Sequence, residues 1–302
     1  MELYQLRGFV RTARLGNLTK AAEELNLTQP ALSIQIKQLE QEIGEKLFER
    51  QGRRLTISAL GEIFLPEAEQ ILSAADGLIK RTRRYEKLEI GTLTIGSNDT
   101  NCLHVLPQII YRFRDEYPGI EIQMENSHSA DVCSWVKNGQ VEIGIITLPA
   151  SDPQLTEEVL YEREDILIFP PGHPLSRLSD VRPADLGWFP FLFLHRGSFG
   201  HSRLMAILEN MSAKPERLMR VGSIEVIKHY AQLGMGVSVI PRINVQQECD
   251  AGLLEFKRLP WLPRPKVGVV YRQTGNLSPA ARTFLKMLKE HTSSLTKNRL
   301  LS

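Results

Sequence analysis

Cysteine is scarce in this chain: Cys102, Cys133 and Cys249 are the only three in 302 residues. They have neither the pairing nor the close spacing of a zinc site or a disulfide framework, so buried, reduced thiols and no metal site are expected. Long apolar runs are missing as well. Nowhere do about 18 apolar residues follow one another, the length that crosses a bilayer. The opening stretch MELYQLRGFVRTARLG has no uninterrupted apolar core of signal-peptide length. A cytoplasmic protein with no membrane partner is therefore expected. A charge of one dominant sign is also absent, since the formal net charge is +2. The chain as a whole is neither a nucleic-acid coat nor a membrane-surface protein, and any basic site must be local. Enzyme signatures are lacking too: there is no GxSxG elbow, no HExxH and no phosphate loop. His104, His195, His201 and Asp99 are scattered, so no catalytic residue and no cofactor is assigned.

What is present is enough apolar content, 42% of 302 residues, for two or more cored domains. The most informative stretch is LTKAAEELNLTQPALSIQIK, residues 18 to 37. Leu32, Ile36, Leu39 and Ile43 recur at helical spacing and make a core-facing stripe. Thr28 can cap the helix start, and Pro30 in the first turn forfeits no hydrogen bond. Opposite the stripe lie Pro30, Ser33, Ile34, Lys37 and Gln41, small, polar and basic residues that a DNA major groove accepts. The preceding helix, about residues 18 to 25, brings Ala21 and Ala22, small enough for a close crossing of helix-turn-helix type. An ordinary helical hairpin with solvated Ser, Gln and Lys side chains remains the alternative on these residues alone.

In chain order, residues 3 to 15 form a helix with Leu3, Leu6, Phe9, Val10 and Ala13 on one side. After Gly44, EKLFERQGRRLTIS reads as a wing, a β-ribbon whose Arg53 and Arg54 would meet the phosphate backbone. A solvated turn is the alternative. From Ser58 to about Arg84 a long helix carries Leu60, Phe64, Ala68, Ile71, Leu72, Ala75, Leu78 and Ile79, with Pro66 predicting a kink. Such a stripe is too long for the small domain, and a second copy is the economical partner, so Leu60, Phe64, Ile71 and Ala75 are candidate dimerisation residues. Lys80 to Lys87 forms a basic linker.

At Gly91 the pattern becomes β-α alternation, implying a parallel sheet with right-handed crossovers. GTLTIGS, IEIQMENS and VEIGIIT are strands, with helices over CLHVLPQIIYRFRDEYPG and HSADVCSWVKNGQ. Around Glu164 a second round begins with EDILIFPP and continues through PFLFL, GSFGHSRLMAILENM, RLMRVGS, IEVIKHYAQLG and GVSVIP. PKVGVVYR and the last helix would return to the first lobe, so the chain crosses twice and makes a hinge. The expected domains are 1–58 for DNA contact, 59–89 as linker helix, and 90–302 as a two-lobed α/β domain. Its first lobe spans about 90–161 and 267–296, its second about 162–266. Ligands in such sheets lodge beyond the strands' carboxyl ends, near helix N-termini. The candidates there are Ser97, Asn98, Thr100, Ser129, Thr147 and Ser198, beside Ser127, Ser202, Gly222 and Ser223. Each alone is more often a helix cap than a ligand contact, and their recurrence at matching sites raises the ligand reading.

With those segments in place, the chain resembles the LysR-type transcriptional regulators over essentially its whole length. The resemblance rests on FVRTARLGNLTKAAEELNLTQPALSIQIKQLEQEIGEKLFER, on RRLTISALGE and the proline-containing helix, and on GTLTIGS, PGI, HPL and LGMGVSVIP. It implies an α+β multidomain protein: a winged helix-turn-helix, a linker helix that dimerises, and a two-lobed domain similar to periplasmic binding proteins. It further implies double-stranded promoter DNA as partner, a homodimer or homotetramer, contact with RNA polymerase, and a small-molecule inducer that alters DNA bending. Thr28, Gln29, Pro30, Ser33 and Lys37 match the family's recognition helix, and Arg53 and Arg54 its wing. Asn17 stands where serine is more usual, and Ile34 where many members have arginine. The segment VIKHYAQLGMGVSVIP is similar to the branch containing the regulator of cysteine biosynthesis, which favours a small anionic or polar inducer.

An exported solute-binding protein would leave residues 1 to 88 without a role, and redox sensing through Cys102 and Cys133 lacks a thiolate-stabilising context. Ile34 faces the groove in this reading, where its methyls would meet a thymine methyl. Ile34→Ala is expected to relax preference at one T·A position in a binding-site selection. Unchanged preference at every T·A position refutes that contact.

Overall fold

The computed structural model describes residues 1–51, 54–194, 204–207 and 218–297. Two compact units divide the chain, Met1–Glu86 and Lys87–Ser302.

In the first unit, α1 (Leu3–Leu15) starts at a reciprocal cap between Glu2 and Gln5 and stops at Gly16, whose φ of 59° suits a residue without a Cβ. Helices α2 (Leu18–Glu24) and α3 (Gln29–Ile43) cross closely because Ala21 and Ala22 are fully buried between them and α1. Leu6, Phe9, Leu32, Ile36, Leu39 and Leu47 complete the core. Leu3, expected on the buried side, is exposed in the first turn. Strands β1 (Phe48–Gln51) and β2 (Arg54–Ile57) pair antiparallel, with Gln51 opposite Arg54.

Helix α4 (Ala59–Glu86) runs on through Pro66, which lies inside it. Its start is tied down by Ser58, whose hydroxyl donates to the Lys46 carbonyl at 2.7 Å and accepts from the Gly61 N–H at 3.0 Å. The helix belongs to the amino-terminal unit rather than standing apart as a linker, because half of its apolar stripe is used there. Leu60, Phe64 and Leu72 pack against the unit's own core, and the Phe64 ring meets Phe9 edge-on at 5.4 Å. Leu60 and Phe64, expected to face a second copy, are half-buried and give part of their apolar surface to this core. Phe64, Ile71 and Leu78 recur every seven residues along one face, and further along it Ile71 and Leu78, 41% and 67% exposed, are left out of the unit's own core, as is Ile63 at 69%. Exposed ion pairs Arg7–Asp76 and Arg14–Glu69, at 2.9 and 2.8 Å, register α4 on α1. Each contributes below about 1 kcal/mol.

In the second unit, one lobe is a five-stranded sheet ordered β4-β3-β5-β12-β6. Strands β3 (Gly91–Ser97), β4 (Ile120–Asn126) and β5 (Ile143–Thr147) are parallel. β12 (Lys266–Arg272) runs antiparallel to β5 and to β6 (Leu155–Glu162), so the sheet is mixed, not wholly parallel as expected. β6 was not foreseen. Its sequence LTEEVLYE lacks an apolar alternation: three of its eight residues are acids, and Val159 is exposed while Glu158 is half-buried. Helices α5 (Asp99–His104), α6 (Leu106–Glu116) and α7 (Ser129–Asn138) connect the strands, and the terminal helix Pro279–Lys297 returns to pack Phe284 on Phe113 at 5.5 Å. One helix was expected across residues 102 to 119. Pro107, lacking an N–H for the helical ladder, restarts it after Val105.

The other lobe centres on β7 (Asp165–Phe169), flanked antiparallel by β10 (Ser238–Pro241) and β11 (Glu255–Arg258). β8 (Phe191–Leu194) and β9 (Leu218–Val221) form a parallel pair, joined to the rest by a bridge from Phe191 to Val237. The chain passes between lobes at residues 163–164 and again before β12.

Gly61 is the tightest point of the first unit, because a Cβ there would sit 2.4 Å from the Leu47 carbonyl oxygen. Gly61→Ala should destabilise this unit by about 1–3 kcal/mol, the usual range for overpacking. An unchanged melting curve of the full chain by circular dichroism would contradict that contact.

Candidate DNA-contact face and effector cleft

The DNA-contact candidates begin with two side-chain caps. Asn17 accepts from the Thr19 and Lys20 N–H groups at 3.0 and 3.1 Å, so it starts α2 as a serine would. Thr28 accepts from the Ala31 N–H at 3.4 Å and starts α3. Along α3, Gln29, Pro30 and Lys37 are exposed and Ser33 is half-buried. Ile34 is 56% exposed, away from the buried Leu32, Ile36 and Leu39. Arg53 lies outside the described residues. Arg54 is placed by its backbone in β2, opposite Gln51.

Between the lobes of the second unit lies a cavity of about 300 Å³. The first lobe lines it with polar groups from three strand–helix junctions. Asn98, Asp99 and Thr100 follow β3; Asn126, Ser127, His128 and Ser129 follow β4; Thr147 ends β5. Arg163 and Asp165 come from the crossing strand. The second lobe contributes an apolar wall that includes Leu192, Phe193, Leu204, Ile224 and Ile240.

Of the sequence-derived candidates, Asn98, Thr100, Ser129 and Thr147 line this cavity, and Ser198, like Ser202, lies outside the described residues. Ser97 does not reach it. Its side chain is fully buried and donates to the Ile145 carbonyl at 2.8 Å, because Ser97 shares the inward side of β3 with Leu93 and Ile95. Ser223 caps the helix Ile224–Gln232 by accepting from the Val226 N–H at 3.3 Å.

Sequence reasoning missed Arg163 and Asp165. Their side chains form a bidentate pair at 2.8 and 3.1 Å, and the Arg163 Nη1 donates to the Thr147 hydroxyl at 3.2 Å. The run RED was visible, but nothing in it told which side of the strand would meet the cavity.

The lining hydroxyls have defined polarity. Ser129 Oγ accepts from the Thr147 N–H at 3.3 Å, so its proton stays free. Thr147 Oγ1 likewise accepts from Arg163. Ser127 donates to Asp131 at 2.5 Å, and Thr100 donates to the Asn244 side-chain oxygen at 3.1 Å. Asn244 in turn offers its backbone carbonyl to the Lys228 ammonium at 2.9 Å. Burial works against the charge on Lys228, but Glu225 and Glu248, 2.9 and 2.7 Å away, outweigh it and raise its pKa.

All three thiols are free. Burial first, then the charge of Asp99, pushes Cys102 up to about 11. Burial, with Glu157 and Asp152, does the same to Cys133, also to about 11. Both stay protonated, the opposite of a reactive thiolate. Among the described residues, no group of His, Cys, Asp and Glu is arranged to hold a metal ion, and no helix is long and apolar enough to cross a membrane.

Residues 3–62 match the family described as bacterial regulatory helix-turn-helix protein, lysR family, and residues 86–293 match the LysR substrate binding domain. The chain belongs to the LysR family. It is a LysR-type transcriptional regulator, with a helix-turn-helix DNA-binding domain and an effector-binding domain. Among its curated relatives is a probable RuBisCO transcriptional regulator of Porphyra purpurea, 30% identical over 85% of this chain and 83% of the relative. Its namesake in Cyanidioschyzon merolae (strain NIES-3377 / 10D) is 32% identical over 83% and 85%. Two solved structures share the LysR fold. Full-length OxyR from Pseudomonas aeruginosa superposes with a TM-score of 0.80 at 22% identity, covering 97% of this chain and 99% of that one. CbnR in complex with its target DNA gives 0.65 at 19% identity, covering 97% and 100%.

Proposed function

We propose that this regulator grips promoter DNA as a homodimer or homotetramer through α3 and the wing, and that a small oxyanion-bearing effector in the interlobe cleft sets its output. The observation that carries the effector class is the polarity of the cleft hydroxyls. Ser129 and Thr147 already accept hydrogen bonds, so each has a proton to give, and Ser129, a lining residue, is also where α7 begins. A carboxylate or similar head group satisfies those donors. The apolar wall from Leu192 to Ile240 then covers a short hydrocarbon body, in keeping with a volume of about 300 Å³.

On the DNA side, Thr28, Gln29, Pro30, Ser33, Ile34 and Lys37 are the residues assigned to the groove, and Arg53 and Arg54 to the backbone. Residues 1–58 hold this function, 59–89 carry dimerisation and 90–302 bind effector. The chain works in the cytoplasm and engages RNA polymerase from the promoter. The reading is of a regulator and not an enzyme, in keeping with the family of transcriptional regulators to which both domains belong.

The exposed residues of α4 support the oligomer. Ile71→Asp with Leu78→Asp is expected to give monomers with weak operator binding, since these side chains are outside the unit's own core. A dimer of unchanged mass by light scattering would exclude this face. For the cleft, a thermal-shift screen of small carboxylates against the full chain should yield a stabilising compound, about 2.7 kcal/mol at a hundredfold excess over Kd. Ser129→Ala and Thr147→Val should each reduce that shift while operator affinity stays nearly intact. A shift that survives both substitutions places the effector elsewhere.

A further inference from the structure

On the far side of the crossing strand from the effector cleft, three arginines converge on one carboxylate. Glu164 is nearly buried, and its oxygens lie 3.2 Å from Arg242 Nη1, 3.4 Å from Arg258 Nε and 3.7 Å from Arg264 Nη2. Arg163 and Asp165 line the cleft and Glu164 does not, as strand alternation requires. Only the Arg242 contact is a hydrogen bond; the other two guanidiniums are held near Glu164 by charge. Arg258 and Arg264 are 60% and 49% exposed, and among the described residues neither has another ion pair or hydrogen bond.

One carboxylate needs one guanidinium. Three leave an excess of two positive charges and a set of unused N–H donors, five being available on each arginine. We propose that this cluster is a second ligand site, for a phosphate group. A tetrahedral oxyanion with up to two negative charges matches both the charge excess and the several donors, and planar guanidinium forks are the side chains suited to it. A single carboxylate, already supplied by Glu164, does not fill that demand. The four residues come from distinct parts of the hinge. Glu164 is in the outgoing crossing, Arg264 precedes β12 in the return crossing, Arg242 follows β10 and Arg258 ends β11. A phosphate held by Arg258 and Arg264 therefore ties one lobe to the return crossing, and fixes the hinge without entering the cleft.

The test uses the full chain and isothermal titration with inorganic phosphate, at ionic strength held constant with chloride, and AMP in parallel. Saturable binding is expected, weakened about tenfold or more in the Arg258→Ala/Arg264→Ala variant, as for loss of a charge-assisted hydrogen bond. Glu164→Gln removes the competing carboxylate and is expected to tighten binding. Ser129→Ala, in the cleft, is expected to leave it unchanged. Equal affinities for both probes mark free phosphate as the ligand, and tighter AMP binding marks a phosphate ester. Absence of saturable binding by either probe overturns the proposal. So does binding that persists in the double arginine variant, or binding lost with Ser129→Ala alone, which would assign the phosphate to the effector cleft.

Discussion

The effector domain depends on how its chain crosses from one lobe to the other at residues 163 to 165. Successive side chains of an extended segment point to opposite sides, so Arg163 and Asp165 must share one side and Glu164 must take the other. That alternation places a bidentate ion pair against the cleft. The pair is self-neutralising. Burial of an unpaired arginine is disfavoured, and Asp165 removes that penalty while using up the positive charge. The anionic effector proposed above would then meet hydroxyl protons and not a free cation. On that proposal, weak acids with a hydrocarbon body would be favoured over highly charged ligands, whose desolvation the site would not offset.

In the amino-terminal unit the comparable constraint is the closeness of α1, α2 and α3. Ala21 and Ala22 permit it, and the Asn17 and Thr28 caps fix where each helix begins. Once Leu32, Ile36 and Leu39 face inward, the 3.6-residue period forces Pro30, Ser33, Ile34 and Lys37 outward together. An isoleucine left in water forgoes about 1.5–3 kcal/mol of burial. Contact with the groove, as proposed, would give that exposure a use, because a thymine methyl is one of the few apolar features of a base edge. Ile63, Ile71 and Leu78 on α4 present the same situation over a larger area.

Much of this was legible in the sequence, and the misses have physical causes. The stripe on α3, the capping residues and the wing strands are local patterns, and they lie where the pattern put them. Leu60 and Phe64 were equally visible as apolar, yet a period reports that a face is buried and not by what. Phe9 proved to be one partner of Phe64. Ser97 carried a usable signal that was not applied: it has the parity of Leu93 and Ile95, which makes it an inward residue despite its place at the strand end. β6 gave no such signal, since its sequence lacks an apolar alternation. The apolar wall of the cleft was invisible because Leu192, Ile224 and Ile240 read as ordinary core until the lobes are placed opposite each other.

The direction of each hydroxyl proton narrows recognition further than the residue types do. Thr100 gives its proton to Asn244, which is itself anchored by Lys228 between Glu225 and Glu248. Toward the cavity Thr100 therefore presents only lone pairs and asks for a donor, whereas Ser129 and Thr147 present protons and ask for acceptors. A ligand that places an oxyanion at one end and an N–H or O–H group at the other satisfies all three; a simple inorganic anion satisfies two and leaves Thr100 unmatched. An unmatched buried polar group costs about 1–3 kcal/mol. On the proposed reading the cleft would discriminate between ligands of equal charge by the position of one hydrogen-bond donor, a selectivity resting on Asn244 holding Thr100 in place.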